Sequence, residues 1–254
     1  MNVLVCVKRV PMVGARIALT PDAQAVDTRQ LGFTMSPHEE CAVEEAVRIV
    51  ESHGGTVSVL TLGPPEASEQ LRDAAAIGAT RLVHLVDARE WDPLATADAL
   101  VDAIRTLEAN DAPFDIILFG NEAPDTGDYQ VGIRVAHHLK RPCASGIKNL
   151  DVGLDRVRAR REFRGGDELF ELALPCVVSV KEGINLPRYP SLPGRVRAKK
   201  AAVLEMEPRW RESQVHLEAL SVPSVQRERA EILGSGVDAV PALLALLDRL
   251  GVLP

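Results

Sequence analysis

FDIILFGNEAPDTGDYQVGIRVAHHL, residues 114–139, decides the fold class. It begins as a largely apolar run ending at Gly120, which suits a strand covered on both faces. A polar loop containing Gly127 follows, and helical periodicity starts near Tyr129. Strand, short loop and helix in that order form one unit of a parallel sheet with crossover helices.

The same unit recurs on the N-terminal side. Apolar runs at NVLVCV (2–7), TVSVLTL (56–62) and RLVHLV (81–86) alternate with helical patterns at 37–54, 65–79 and 92–110. Ser36-Pro37 supplies an N-cap and a first-turn proline, while Gly54 and Gly78 stand where helices should end. Past His138 the pattern changes. Residues 155–163 and 168–174 alternate in polarity around RGGD (164–167), the mark of a β-hairpin, and LPCVVSV (174–180) reads as another buried strand. The expected fold is therefore α/β: a doubly wound, mostly parallel sheet with an appended hairpin.

Beyond residue 181 no helical or strand period is sustained. Pro187, Pro190 and Pro193 are expected to exclude a helix and to hold Arg188, Tyr189 and Leu192 out on a semi-rigid loop. Tyr, Arg and an exposed Leu are what an anchoring contact uses, and the following Arg195, Arg197, Lys199 and Lys200 suit an acidic partner surface. Residues 201–254 are expected to form an extended arm, disordered or laid on another protein, that ends in an amphipathic helix at 237–253. The chain thus divides into an α/β domain, 1–200, and a C-terminal arm, 201–254.

A net charge of −7 argues against nucleic acid as the main partner. The apolar runs are short or carry charges, so no membrane span is expected, and the start of the chain lacks the pattern of a signal peptide, which points to a cytoplasmic protein. Cys6, Cys41, Cys143 and Cys176 form no CxxC, so they read as small buried side chains rather than disulfide or zinc ligands. GxSxG and HExxH are absent. His137 and His138 are adjacent on a helix and point roughly 100° apart, which does not suit a ligand pair. Glu39, Glu40, Glu44 and Glu45 read as helix N-terminal charge plus a solvated face. No catalytic or metal-ligating residue is expected.

The loop after Gly120 lies at the carboxyl edge of the sheet, where ligands bind in open α/β folds. Gly120, Gly127 and Gly132 permit close backbone approach, and the N–H groups of Tyr129, Gln130 and Val131 are placed to receive a phosphate, with Asp128 as N-cap. A capped turn without a ligand has the same pattern. Glu122, Asp125 and Asp128 would repel a phosphate unless turned away to hold the backbone. Neither GxGxxG nor a Walker sequence is present, which disfavours an NAD-type site.

Taken together, VLVCVKRV (3–10), SPHEECAVEEAVRI (36–49), RDAAAIGAT (72–80), FGNEAPDTGDYQVG (119–132) and LPCVVSVKEGINLPRYPSLPGRVRAKK (174–200) resemble the β subunit of electron transfer flavoproteins over nearly the whole chain. The last stretch is similar to the family signature, Asn-x-Pro-Arg-Tyr, Leu-Pro, then a basic Ala-Lys-Lys. The resemblance implies an adenine-nucleotide α-hydrolase-like domain and a heterodimer with an α subunit that carries the redox-active FAD. It also implies an arm wrapped on that partner, and electrons taken from flavin-dependent dehydrogenases and passed to a quinone reductase or other acceptor.

By position, the resemblance assigns AMP, or a second FAD in electron-bifurcating members, to Cys6, Val7, Ser36 and the loop from Gly120 through Asp125, Thr126, Gly127, Asp128, Tyr129, Gln130 and Val131 to Gly132. It assigns partner recognition to Leu192 with Arg188 and Tyr189. Ser36 replaces the usual asparagine, Met12-Val13 a polar or aromatic pair, and Asn121 a lysine. The loop DTGDYQVG matches neither the AMP nor the FAD form of the family, though Gln130-Val131-Gly132 leans to the FAD form, and Tyr129 could stack on a base or fill a flavin's space. Two rival readings remain: a bifurcating subunit that oxidises NADH, and a stand-alone nucleotide-binding regulatory protein.

Overall fold

The computed structural model describes residues 1–12, 17–223 and 231–252. In chain order the strands are β1 (Asn2–Val7), β2 (Val10–Pro11), β3 (Phe33–Thr34), β4 (Thr56–Gly63), β5 (Arg81–Val86), β6 (Ile116–Gly120), β7 (Cys143–Ile147), β8 (Asn149–Val152), β9 (Arg156–Phe163), β10 (Gly166–Ala173), β11 (Cys176–Val180) and β12 (Val203–Met206). The helices are α1 (Pro37–His53), α2 (Ser68–Ile77), α3 (Pro93–Asn110), α4 (Val131–Leu139), α5 (Leu192–Lys200) and α6 (Val240–Arg249).

Seven strands form one parallel sheet in the order β12-β5-β4-β1-β6-β11-β7. The chain steps outward from β1 to β4 and β5, and α3 then returns it to β6 on the other side of β1. That reversal is a topological switch point, which opens a crevice at the carboxyl ends of β1 and β6. Val3, Val5 and Val7 pack with Val43, Ala46 and Leu71 of α1 and α2, while Leu4 and Cys6 pack with Leu100, Ile104 and Val135 of α3 and α4. Alternate residues of β1 enter two different cores, so the strand is apolar throughout.

Local signals set the boundaries. Ser36 Oγ accepts the Glu39 N–H at 3.2 Å and Glu39 accepts the Ser36 N–H at 2.9 Å, a reciprocal capping box. Asp92 caps α3 by accepting from the Ala95 N–H at 2.6 Å. The β9–β10 hairpin closes through Arg164-Gly165 at φ 46° and 79°, the left-handed pair that a two-residue turn requires. With β8 it forms a three-stranded sheet whose Val157, Ala159 and Leu172 join the core on the α1 and α2 side.

The proline-rich segment differs from the expectation, for it contains a helix, α5. Pro193 falls in the first turn, where its missing N–H leaves nothing unpaired, and Ser191 caps the helix by accepting the Gly194 N–H at 3.1 Å. The chain then continues past residue 200 within the sheet, as β12 pairs with β5 at one edge.

The stretch that follows makes contacts with the α/β domain. Arg211 Nη1 meets Asp98 Oδ2 at 2.5 Å, Ser213 Oγ and the Gln214 N–H both donate to Asp92 Oδ2 at 2.9 Å, and the Leu220 N–H donates to the Ala23 carbonyl at 2.8 Å. Arg89 stacks 5.0 Å over the Trp210 ring. The amphipathic helix appears as α6, which has no buried residue, and Leu253 lies outside the described residues. Cys6, Cys41 and Cys176 are buried as expected, but Cys143 opens the edge strand β7 and is exposed; all four are free thiols. Among the described residues no helix is long and apolar enough to cross a membrane.

Candidate nucleotide site and docking segment

Cys6 and Val7 end β1, and Gly120 ends β6 beside them. A Cβ on Gly120 would lie 2.7 Å from Glu39 Cγ and 3.1 Å from the Glu39 nitrogen. This glycine therefore lets the start of α1 close over β6. Glu39 is buried there and accepts both the Ser36 N–H and, at 2.8 Å, the Lys8 N–H, which fastens the end of β1 to the start of α1. Burial pushes its pKa up to about 7, against the opposing pull of the Ser36 and Lys8 hydrogen bonds. Burial and the neighbouring Glu39 hold the Cys6 thiol far above its ordinary range, so it is chemically inert.

The loop carboxylates are engaged. Asp125 Oδ2 pairs with Lys8 Nζ at 2.6 Å, and a hydrogen bond to Glu122 holds the Tyr129 phenol above its usual range. Ala123 accepts the Thr126 and Gly127 N–H groups at 3.3 and 2.8 Å, and Gly127 takes φ 60° in that turn. Asp128 is not the N-cap. Tyr129 adopts φ 56°, which turns the chain so that Gln130 occupies the cap position, with no side-chain cap. The Gln130 side chain instead accepts from Arg134 at 3.1 and 2.8 Å.

Consequently the backbone N–H groups from Asp128 to Ile133 have no hydrogen-bond partner among the described residues. A helix start with orphaned donors carries positive partial charge and suits an anion. Gly132 is a packing residue, because a Cβ there would lie 2.9 Å from Ser179 Oγ and 3.1 Å from Phe119 Cγ. It sets how closely α4 approaches β6 and β11.

Sequence reasoning missed Glu39, Lys8 and Thr61. The Ser-x-x-Glu spacing of a capping box was the signal for Glu39. Thr61 is buried on β4, level with Val7, and its hydroxyl lacks a partner among the described residues. No pattern marks either Lys8 or Thr61, since each matters only through neighbours remote in sequence.

At the other segment, Tyr189 and Leu192 project, with 95% and 79% of their surface exposed. Arg188 does not project, because Glu44 and Glu51 hold its guanidinium. The acidic cluster is likewise not a solvated face: Glu39 and Glu44 are buried, and Glu45 accepts from Asn185 Nδ2 at 2.8 Å. Glu44 pairs with Arg48 one turn along α1 and with Arg188 from far along the chain. A cavity of about 610 Å³ lies between α1, α2 and residues 188–197, near the start of β4 rather than at the carboxyl edge.

The family profile described as Electron transfer flavoprotein domain matches residues 25–209. The β subunit of electron transfer flavoprotein from Bacillus subtilis is 37% identical over 178 residues, covering 69% of this chain and 67% of the relative. The Homo sapiens β subunit is 33% identical over 257 residues, covering 99% and 98%. Protein FixA of Bradyrhizobium diazoefficiens is 28% identical over 264 residues, covering 96% and 90%.

Proposed function

Because the chain belongs to the electron transfer flavoprotein family as a β subunit, we propose that it forms a heterodimer with an α subunit and carries electrons from flavin-dependent dehydrogenases to a downstream quinone reductase or other acceptor. FAD, held mainly by the α subunit, supplies the redox chemistry. This chain supplies a bound AMP, the docking segment and the arm, and works in the cytoplasm.

The observation that carries the nucleotide reading is the row of unpaired N–H groups from Asp128 to Ile133 beside the switch-point crevice. The AMP phosphate sits at these donors, and the base lies toward Cys6, Val7 and Ser36 at the strand ends. Lys8 keeps Asp125 away from the phosphate, and the unpaired Thr61 hydroxyl offers a buried polar contact near Val7. Docking falls to Tyr189 and Leu192. Arg195, Arg197, Lys199 and Lys200 follow along α5 without an ion-pair partner among the described residues, a field that favours an acidic dehydrogenase surface. Residues 1–200, completed by β12 at the sheet edge, act as the nucleotide-binding domain, and the end of the arm, with the uncovered α6, packs on the α subunit.

A second reading, a bifurcating subunit with FAD in place of AMP, is favoured only by Gln130-Val131-Gly132 in the phosphate loop. Electron transfer is tested by mixing the purified heterodimer anaerobically with a catalytic amount of a flavin dehydrogenase and its substrate. Bleaching of the heterodimer's flavin is the expected result. A heterodimer that dithionite bleaches but no dehydrogenase does would overturn the carrier role.

A further inference from the structure

Arg188 lies between two side chains that project to solvent, yet four of its five guanidinium hydrogens are taken up by two carboxylates of α1, buried Glu44 and exposed Glu51. Nε donates to Glu44 Oε2 at 2.9 Å and Nη2 to Glu44 Oε1 at 3.1 Å, while Nη1 and Nη2 donate to Glu51 Oε1 and Oε2 at 2.6 and 2.9 Å. Its backbone N–H reaches Glu44 Oε2 as well, at 3.2 Å. Burial alone would raise the Glu44 carboxyl, but the hydrogen bonds from Arg188 and Arg48 outweigh it and hold the carboxyl below its usual range.

Asn185 adds a second fastening, donating through Nδ2 to the Cys41 carbonyl at 3.0 Å and to Glu45 at 2.8 Å. On the far side α5 is fixed to α2. A Cβ on Gly194 would lie 2.5 Å from the Ala76 carbonyl oxygen, and Arg72 Nη1 donates to the carbonyls of Ala198 and Lys199 at 3.2 and 3.1 Å. Leu186, 84% exposed, stands between these anchors together with Tyr189 and Leu192.

We infer that Arg188, Glu44 and Glu51 form a rivet that pre-organises one apolar docking surface of Leu186, Tyr189 and Leu192 for an electron-donating flavin dehydrogenase, and that Arg188 is a positioning residue rather than a partner contact. The inference rests on the docking reading above. A surface ordered before encounter loses less conformational entropy on binding, so the rivet acts on association and leaves transfer within the complex unchanged. The planar, doubly forked geometry is specific to arginine, because a lysine cannot serve two carboxylates bidentately.

The test uses the heterodimer, with dehydrogenase-driven turnover measured against heterodimer concentration. Glu44 is 1% exposed and is out of a partner's reach, so Glu44→Gln is the strict variant, and Glu51→Gln is the one that retains the buried charge. Either is expected to raise KM about tenfold, ~1.4 kcal/mol, with kcat, nucleotide content and subunit assembly unchanged. Arg188→Lys should match them, and combining it with Glu51→Gln should add little further, since paired residues are not additive. Hydrogen exchange across 185–192 should accelerate in each. A raised KM in Arg188→Lys alone, with both glutamine variants as wild type, would make Arg188 a direct contact and overturn the inference. An unchanged KM in Leu192→Ala would instead remove the docking reading on which it stands.

Discussion

Replacing Glu39 by glutamine should change how stability depends on pH. In the folded chain burial raises this carboxyl from 4.5 to about 7, a difference equivalent to ~3 kcal/mol. A carboxyl raised in the folded state contributes stability that is fully present below about 4.5 and is lost as pH climbs through about 7, because the folded state keeps a proton that the unfolded state gives up. Glutamine is neutral throughout and cannot show this loss. Its NH₂ would, however, face either the Lys8 or the Ser36 N–H, which Glu39 now accepts at 2.8 and 2.9 Å, leaving a buried donor unpaired at a cost of ~1–3 kcal/mol.

Glu39→Gln should therefore be the less stable protein at pH 5, and the gap should close or reverse by pH 8, a relative swing of ~2.5 kcal/mol. Urea denaturation followed by the fluorescence of Trp91 and Trp210 at several pH values measures it, and other titrating groups cancel in the difference between the two proteins. Parallel stability profiles from pH 5 to 8 would refute the reasoning, because they would mean that Glu39 is not buried as an acid at this junction.

Two other substitutions probe what positions the site. Gly132→Ala should destabilise the chain by ~1–3 kcal/mol through overpacking against Ser179 and Phe119, and an unchanged urea midpoint would contradict the close approach of α4 to the sheet. Asp92→Ala removes both the α3 cap and the two hydrogen bonds from Ser213 and Gln214. It should cost ~1–2 kcal/mol and open the stretch 207–220 to limited proteolysis, whereas wild-type cleavage rates would show that the arm is held by other contacts.

The parallel sheet was legible because its determinants are local. β1, β4, β5 and β6 are runs of apolar residues that no half-exposed strand would carry, and Ser36, Gly54 and Gly78 mark helix ends by hydrogen-bonding and conformational rules that act within a turn. The hairpin followed from Arg164-Gly165, whose left-handed geometry a two-residue turn demands. Helix α5 was hidden because prolines were read as breakers when one of them occupies the tolerant first turn. The short edge strand β12 has too few residues to show a period.

At the site, the loop and its row of donors could be placed by position along the sheet, but the roles of individual residues could not. Gly120 and Gly132 looked like openings for a ligand and are instead contacts between helix and strand. Glu44 looked solvated because Arg48, one turn on, pairs with it as it would with a surface glutamate, while Arg188, which covers it, is far away in sequence. Compensation of a buried charge is a property of the folded contact map, and a helical charge pattern alone does not distinguish Glu44 from a surface glutamate.

The most direct measurement of the central claim is the nucleotide content of the heterodimer. The chain is co-expressed with its α subunit, the complex is purified and denatured, and released FAD and AMP are quantified by chromatography. The account predicts one FAD and one AMP per heterodimer; two FAD without AMP would transfer the Asp128–Ile133 donors to a flavin nucleotide, and a complex that releases no nucleotide beyond the α subunit's FAD would contradict the assignment of a nucleotide to this chain.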